Sequence, residues 1–201
     1  MAPESPARER LVSADSHVMF TDDWVKQRLP ARLAPRWDEA VAKRAAFEAK
    51  ELRRGQPNLA IEDFVDMEAA SDPGHFEPHS KLKAMDRDGV EAEVIFPEVG
   101  GAKIAAPEWL GDDWMEVLSG YNDAMADFAD VNPDRLLCAY QIPLYDVGFA
   151  VREVERMAAR RARCVQIAPF PAEIGLPGFG DRRYDRLWAA LSAAGNTVLN
   201  H

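Results

Sequence analysis

Asp15 and His17 lie two residues apart in the run 11–19, LVSADSHVM. In a strand, side chains two apart leave the same face, so this run would hold a carboxylate and an imidazole side by side. Carboxylate oxygen and imidazole nitrogen suit zinc, manganese or iron. His201 ends another β-suited run, NTVLNH, and is a third candidate donor. Three protein ligands with one open position let a metal acidify a bound water, so these residues point to metal-assisted chemistry. Each also has a plainer reading. An isolated D-x-H triplet occurs by chance, with Asp15 as a turn or capping carboxylate, and a terminal histidine is commonly exposed. The metal reading gains from context, because all three residues stand at the ends of predicted strands.

The elements that must position them follow a regular grammar. Strands are predicted near residues 11–18, 90–96, 136–142, 163–168 and 197–201. KLKAMDRDG reads as a helix closed by Gly89, and Trp114, Leu118, Tyr121, Met125 and Phe128 stripe a longer helix as core. Asp146 can N-cap a helix with Val147, Val151, Val154 and Met157 on one face. Tyr184, Leu187, Trp188 and Leu191 stripe a last helix that stops at Gly195. Strands separated by helices, most of them apolar on both faces, predict a parallel sheet covered by helices. The choice lies between a (β/α) barrel and a doubly wound sheet. No G-x-G-x-x-G turn follows the first strand, which removes the usual support for a dinucleotide-binding sheet.

Between the first two strands, residues 20–80 form a proline-punctuated excursion, read as part of a single domain spanning 1–201. Its charged run 38–54 reads as a solvated helix face. Arg28, Arg32 and Arg36, earlier in the excursion, could hold a substrate carboxylate. His75 and His79, in DPGHFEPHSKL, read as histidines of a surface or substrate-facing loop and not as metal ligands.

Composition narrows the function classes. A chain of 201 residues, 47% hydrophobic and 29% charged, can bury a sizeable core. Its formal net charge of -10 repels phosphate backbones and anionic membranes, so neither nucleic acid nor a membrane is the expected partner. No apolar stretch approaches the ~20 residues of a membrane span. Cys138 and Cys164 sit in apolar runs and read as buried thiols, which fits a reducing, cytoplasmic setting. The polar N-terminus lacks a signal-peptide core.

Taken together, SADSHVMFTDDW, KLKAMDRDGVEAEVIFP, NPDRLLCAYQIPLYD, CVQIAPFP and YDRLWAALSAAGNTVLNH resemble the amidohydrolase-related group of the amidohydrolase superfamily. That branch includes aminocarboxymuconate-semialdehyde decarboxylase and the resorcylate decarboxylases. The resemblance implies a TIM-type (β/α)8 barrel, present here as an incomplete barrel of about five parallel strands. It further implies a divalent metal held by a first-strand pair, matching Asp15 and His17, and by a histidine ending the fifth strand, matching His201. Zinc comes first. Asp15 stands where many relatives have histidine or glutamate, and this harder donor makes manganese or iron a competitor.

In the family an assisting histidine and an eighth-strand aspartate complete the site, and neither has a counterpart in this sequence. A barrel of this type has eight strands and typically ~250 residues. The expectation is therefore the N-terminal portion of a longer enzyme or the product of a shortened gene, with catalytic residues expected beyond 201 and poor solubility of the isolated chain. The implied activity is a metal-dependent hydrolase or decarboxylase acting on a small carboxylated, aromatic or ring-cleaved molecule. The alternative is a catalytically incomplete remnant with only a binding or structural role. Barrel enzymes often dimerise, and the excursion is a natural contact for a homodimer.

Overall fold

The computed structural model describes residues 10–55, 72–97 and 105–200. Its strands are β1 (Leu11–Val18), β2 (Val90–Pro97), β3 (Leu136–Gln141), β4 (Cys164–Ile167) and β5 (Thr197–Asn200). They form one sheet in the order β1-β2-β3-β4-β5, parallel at every neighbouring pair. A doubly wound sheet reverses its strand order at a switch point, whereas a barrel keeps the order of the sequence. The sheet is thus a curled half-barrel, the incomplete TIM-type architecture expected from the sequence.

Helices fill the crossovers. After β1 come α1 (Asp22–Lys26) and α2 (Ala34–Gly55). The helix α3 (Pro78–Asp88) leads into β2. A short α4 (Pro107–Leu110) and the long α5 (Trp114–Asp130) precede β3, α6 (Val147–Ala159) precedes β4, and α7 (Asp185–Ala194) precedes β5. Local chemistry sets several of these boundaries. Asp146 accepts the Phe149 N–H at 2.8 Å and starts α6. Gly89 and Gly195 end α3 and α7 with φ of 73° and 65°, a left-handed conformation that glycine adopts at little cost.

Strand side chains alternate between two environments. Ile95, Leu136 and Cys138 face the helices and join Val117, Tyr121, Met125 and Phe128 in one buried cluster. Tyr140, Val165 and Ile167 join Val154, Met157, Leu187 and Leu191 in a second. On the opposite, concave face, Phe96, Ala139 and Cys164 form a small third cluster with Val94, Leu137 and Leu199. The described part of the excursion joins the first cluster through Val25, Leu29, Leu33 and Trp37; residues 56–71 lie outside the described residues. Both cysteines are buried and free.

The expected α6 face packs as a unit: Val154 and Met157 are buried in the second cluster, and Val147 and Val151, half-buried, pack against it. Phe149 and Glu153 are buried as well, the Phe149 ring at 5.0 Å from Trp114 and Glu153 with polar partners inside. One helix stripe differs from expectation. Tyr184 is buried as expected, but in the 3-10 turn Arg182–Tyr184 that precedes α7. Among the described residues, no helix is long and apolar enough to cross a membrane.

Candidate metal centre

The pairing of β1 with β2 explains how Asp15 is presented. Ser13 pairs with Glu93 and Ser16 with Ile95, so three steps along β1 oppose two along β2. One residue is extra, and Asp15 lies in the resulting bulge, a device that re-aims side chains beside functional sites. Beyond it the ladder is regular, with His17 opposite Phe96 and their rings 5.9 Å apart. Phe96 belongs to the concave cluster, which places His17 on the concave side of the sheet.

There His17 Nδ1 lies 3.9 Å from Asp15 Oδ1. Metal–nitrogen and metal–oxygen bonds of ~2.1 Å give a tetrahedral edge of ~3.4 Å, so the two donors are close to the separation one ion needs. The side chains are 35% and 63% exposed and therefore accessible to an ion from solvent. Hard oxygen beside imidazole nitrogen fits a divalent first-row metal. Among the described residues no group of three or more histidine, cysteine, aspartate or glutamate side chains is assembled for a metal. His201, the expected third ligand, lies outside the described residues.

The strand is held from behind. Ser16 faces the helix side, where Lys81 on α3 donates to Ser16 Oγ at 2.8 Å. The same ammonium lies 2.9 Å from Glu93 Oε2 on β2, an ion pair between the helix and the neighbouring strand. Both side chains are nearly buried, at 12% and 11% exposure. The C-terminal end of β1 is fixed by the Met19 N–H donating to the His75 carbonyl at 2.7 Å.

That bond brings the 3-10 turn Pro73–His75 to the mouth of β1. His79 departs from the loop expectation: it sits exposed in the first turn of α3, because Glu77 accepts the His79 and Ser80 N–H groups and starts the helix there. The three arginines proposed to hold a carboxylate are engaged elsewhere. Arg28 donates to Asp127 at 2.9 Å and lies 3.9 Å over the Trp24 ring. Arg32 and Arg36 pair with Asp113, Glu116 and Glu39. Through Asp127, Glu116 and Asp113 they dock the excursion onto α5 and the 3-10 turn Gly111–Asp113 that precedes it, acidic side chains that the linear sequence does not place opposite them.

Sequence reasoning passed over a polar pair farther along the concave face. Gln141, the last residue of β3, is in register with Gln166 on β4, and its Nε2 donates to Gln166 Oε1 at 2.9 Å. A glutamine ending a strand carries no distinctive local signal; only the register of β3 against β4 unites the two.

Comparison with known proteins places the fold. Neither a family model nor a curated protein matches this chain. Among solved structures, an amidohydrolase from Mycobacterium avium subsp. paratuberculosis superposes with TM-score 0.65 at 21% identity, over 98% of this chain and 58% of its own. The 5-carboxyvanillate decarboxylase of Sphingomonas paucimobilis gives TM-score 0.58 at 18% identity, over 96% and 51%. A 5-carboxyvanillate decarboxylase from Novosphingobium aromaticivorans, a mutant with bound manganese and 3-methoxy-4-hydroxy-5-nitrobenzoic acid, gives 0.63 at 14% identity, over 96% and 51%. The chain spans a little over half the length of these proteins, and at such identities the likeness is one of fold.

Proposed function

We propose that this chain supplies the metal-binding first strand and the substrate-facing rim of a metal-dependent hydrolase or carboxy-lyase acting on a small carboxylated aromatic molecule. The observation that carries this reading is the convergence of Asp15 and His17 at 3.9 Å, accessible to solvent, at the C-terminal end of a parallel strand. That end is where barrels build their active sites.

Asp15 and His17 would hold a divalent cation, with His201 as the third donor. The carboxylate donor favours manganese against zinc more than a pair of histidines would, and the manganese in the Novosphingobium decarboxylase supports a divalent ion. A bound metal supplies Lewis-acid polarisation of a carboxylate or carbonyl oxygen. The Lys81–Ser16 bond and the Lys81–Glu93 contact fix β1 behind the donors that would hold the ion.

Mass spectrometry of reaction mixtures with 5-carboxyvanillate and a panel of aromatic carboxylates tests the activity in the manganese-loaded protein. Loss of carbon dioxide supports the carboxy-lyase, and cleavage of esters or lactones without it supports the hydrolase. A metal-loaded protein that turns over neither class leaves a binding or structural role as the better reading.

A further inference from the structure

The C-terminal rim of the half-barrel carries a second feature beyond the β1 donors. A recess of about 300 Å³ opens between the ends of β3 and β4. Gln141 and Gln166 form its polar side, Leu144, Ala168 and Ile174 contribute apolar wall, and Tyr145 stands beside them. No charged side chain lines it among the described residues.

The polar groups are held in place before any ligand arrives. Asn122, wholly buried, donates to the Gln141 carbonyl at 2.9 Å and accepts the Gln141 N–H at 2.8 Å. Its Nδ2 also donates to the buried Glu153 at 2.7 Å. The Gln141 side chain spends its Nε2 on Gln166, which leaves Oε1 as an acceptor with no hydrogen bond from a described residue. Tyr145 packs its ring 5.2 Å from Trp114 and is 40% exposed; its hydroxyl has no hydrogen-bond partner among the described residues. Burial, with Glu108 and Asp146 nearby, pushes this phenol well above its ordinary pKa, so it stays a neutral donor. Ile174 and Phe170, 57% and 63% exposed, add apolar surface at the end of β4.

We propose that this recess is a specificity pocket that takes the uncharged end of a single-ring aromatic acid, a ring hydroxyl donating to Gln141 Oε1 and accepting from the Tyr145 hydroxyl. The assignment rests on the function proposed above. The absence of charge in the lining selects a neutral substituent, because an unpaired ion gains nothing there to offset its desolvation. The apolar wall accepts the ring. Two strand spacings, roughly 10 Å, separate β1 from β3. That leaves room for one ring between the Asp15–His17 donors, which would face the carboxylate, and the two amides.

A metal-free arm separates this proposal from the metal reading. Ligand-observed NMR titration of the 201-residue chain uses 2-methoxyphenol against methoxybenzene, which lacks the hydroxyl. Wild type is expected to bind 2-methoxyphenol about tenfold more tightly, the ratio that one net hydrogen bond supplies. Gln141→Leu and Tyr145→Phe each reduce the ratio towards unity and leave the affinity for methoxybenzene in place. No binding of 2-methoxyphenol to wild type, or an unchanged ratio in both folded variants, overturns the pocket. Manganese titration of the same samples is the second arm. Intact hydroxyl selectivity in a chain that binds no manganese keeps the pocket and removes the metal reading.

Discussion

Lys81 on α3 bridges Ser16 on β1 and Glu93 on β2, at 2.8 and 2.9 Å, directly behind the strand segment that presents Asp15 and His17. An ammonium and a carboxylate this far out of water are stable only together. Replacing Lys81 by methionine strands the Glu93 charge and is expected to cost about 3 kcal/mol or more. The double change Lys81→Met with Glu93→Leu removes the charge as well and should recover most of that loss. Urea denaturation midpoints measure both, and a single-variant loss under about 1 kcal/mol contradicts the assigned role.

Asn122 ties three elements together, with Gln141 on β3, Glu153 on α6 and its own position on α5. Asn122→Ala leaves the Gln141 N–H and C=O without their side-chain partner. The expected destabilisation is about 2–4 kcal/mol, readable as a lower Tm. An Asn122→Ala protein that melts with wild type would show that water replaces the amide without cost.

The junction between excursion and barrel should respond to acid. Partial burial alone would raise the Asp127 pKa, but hydrogen bonds from Arg160 and Arg28 outweigh it and hold the carboxyl below its ordinary value. A folded pKa below the unfolded one gives stability that is complete above the unfolded pKa of about 3.9 and is lost as pH falls through the folded value. Asp127→Asn is therefore expected to lower Tm at pH 6, and the gap from wild type to narrow as pH drops below about 4. A gap that is constant across that range excludes the ionised carboxylate as its source.

The two outer strands leave apolar side chains uncovered among the described residues. Leu11 and Val12 on β1 are 55% and 51% exposed, and Val198 on β5 is 40% exposed. Such edges template association. Sedimentation of the 201-residue chain is expected to show concentration-dependent self-association, reduced by Val12→Lys together with Val198→Lys. Identical profiles for the two proteins would place the contact elsewhere.

Much of the scaffold was legible because its causes are local. Gly89 and Gly195 stop helices through their own backbone freedom, Asp146 caps its own helix, and the Trp114–Phe128 stripe buries itself through helical spacing alone. What escaped depends on partners far away in sequence. The bulge at Asp15 exists only in the register of β1 against β2, and the Gln141–Gln166 pair only in that of β3 against β4. Arg28, Arg32 and Arg36 have the chemistry of carboxylate binders, and they bind carboxylates, but those of α5, of the turn Gly111–Asp113 before it and of α2. His79 follows Pro78, which starts a helix at its first position where the sequence suggested a loop. The candidate centre itself was visible as a D-x-H spacing; its 3.9 Å geometry was not.

The central claim is that Asp15 and His17 hold a metal. Its most direct measurement is elemental analysis with manganese and zinc titration of the purified chain, wild type against Asp15→Ala and His17→Ala. Because both side chains are substantially exposed, the variants should keep the wild-type Tm within about 2 °C. The expected result is about one equivalent of divalent metal bound by wild type, with affinity lowered at least tenfold in each variant. Equal metal content and equal affinity in all three proteins would contradict the assignment.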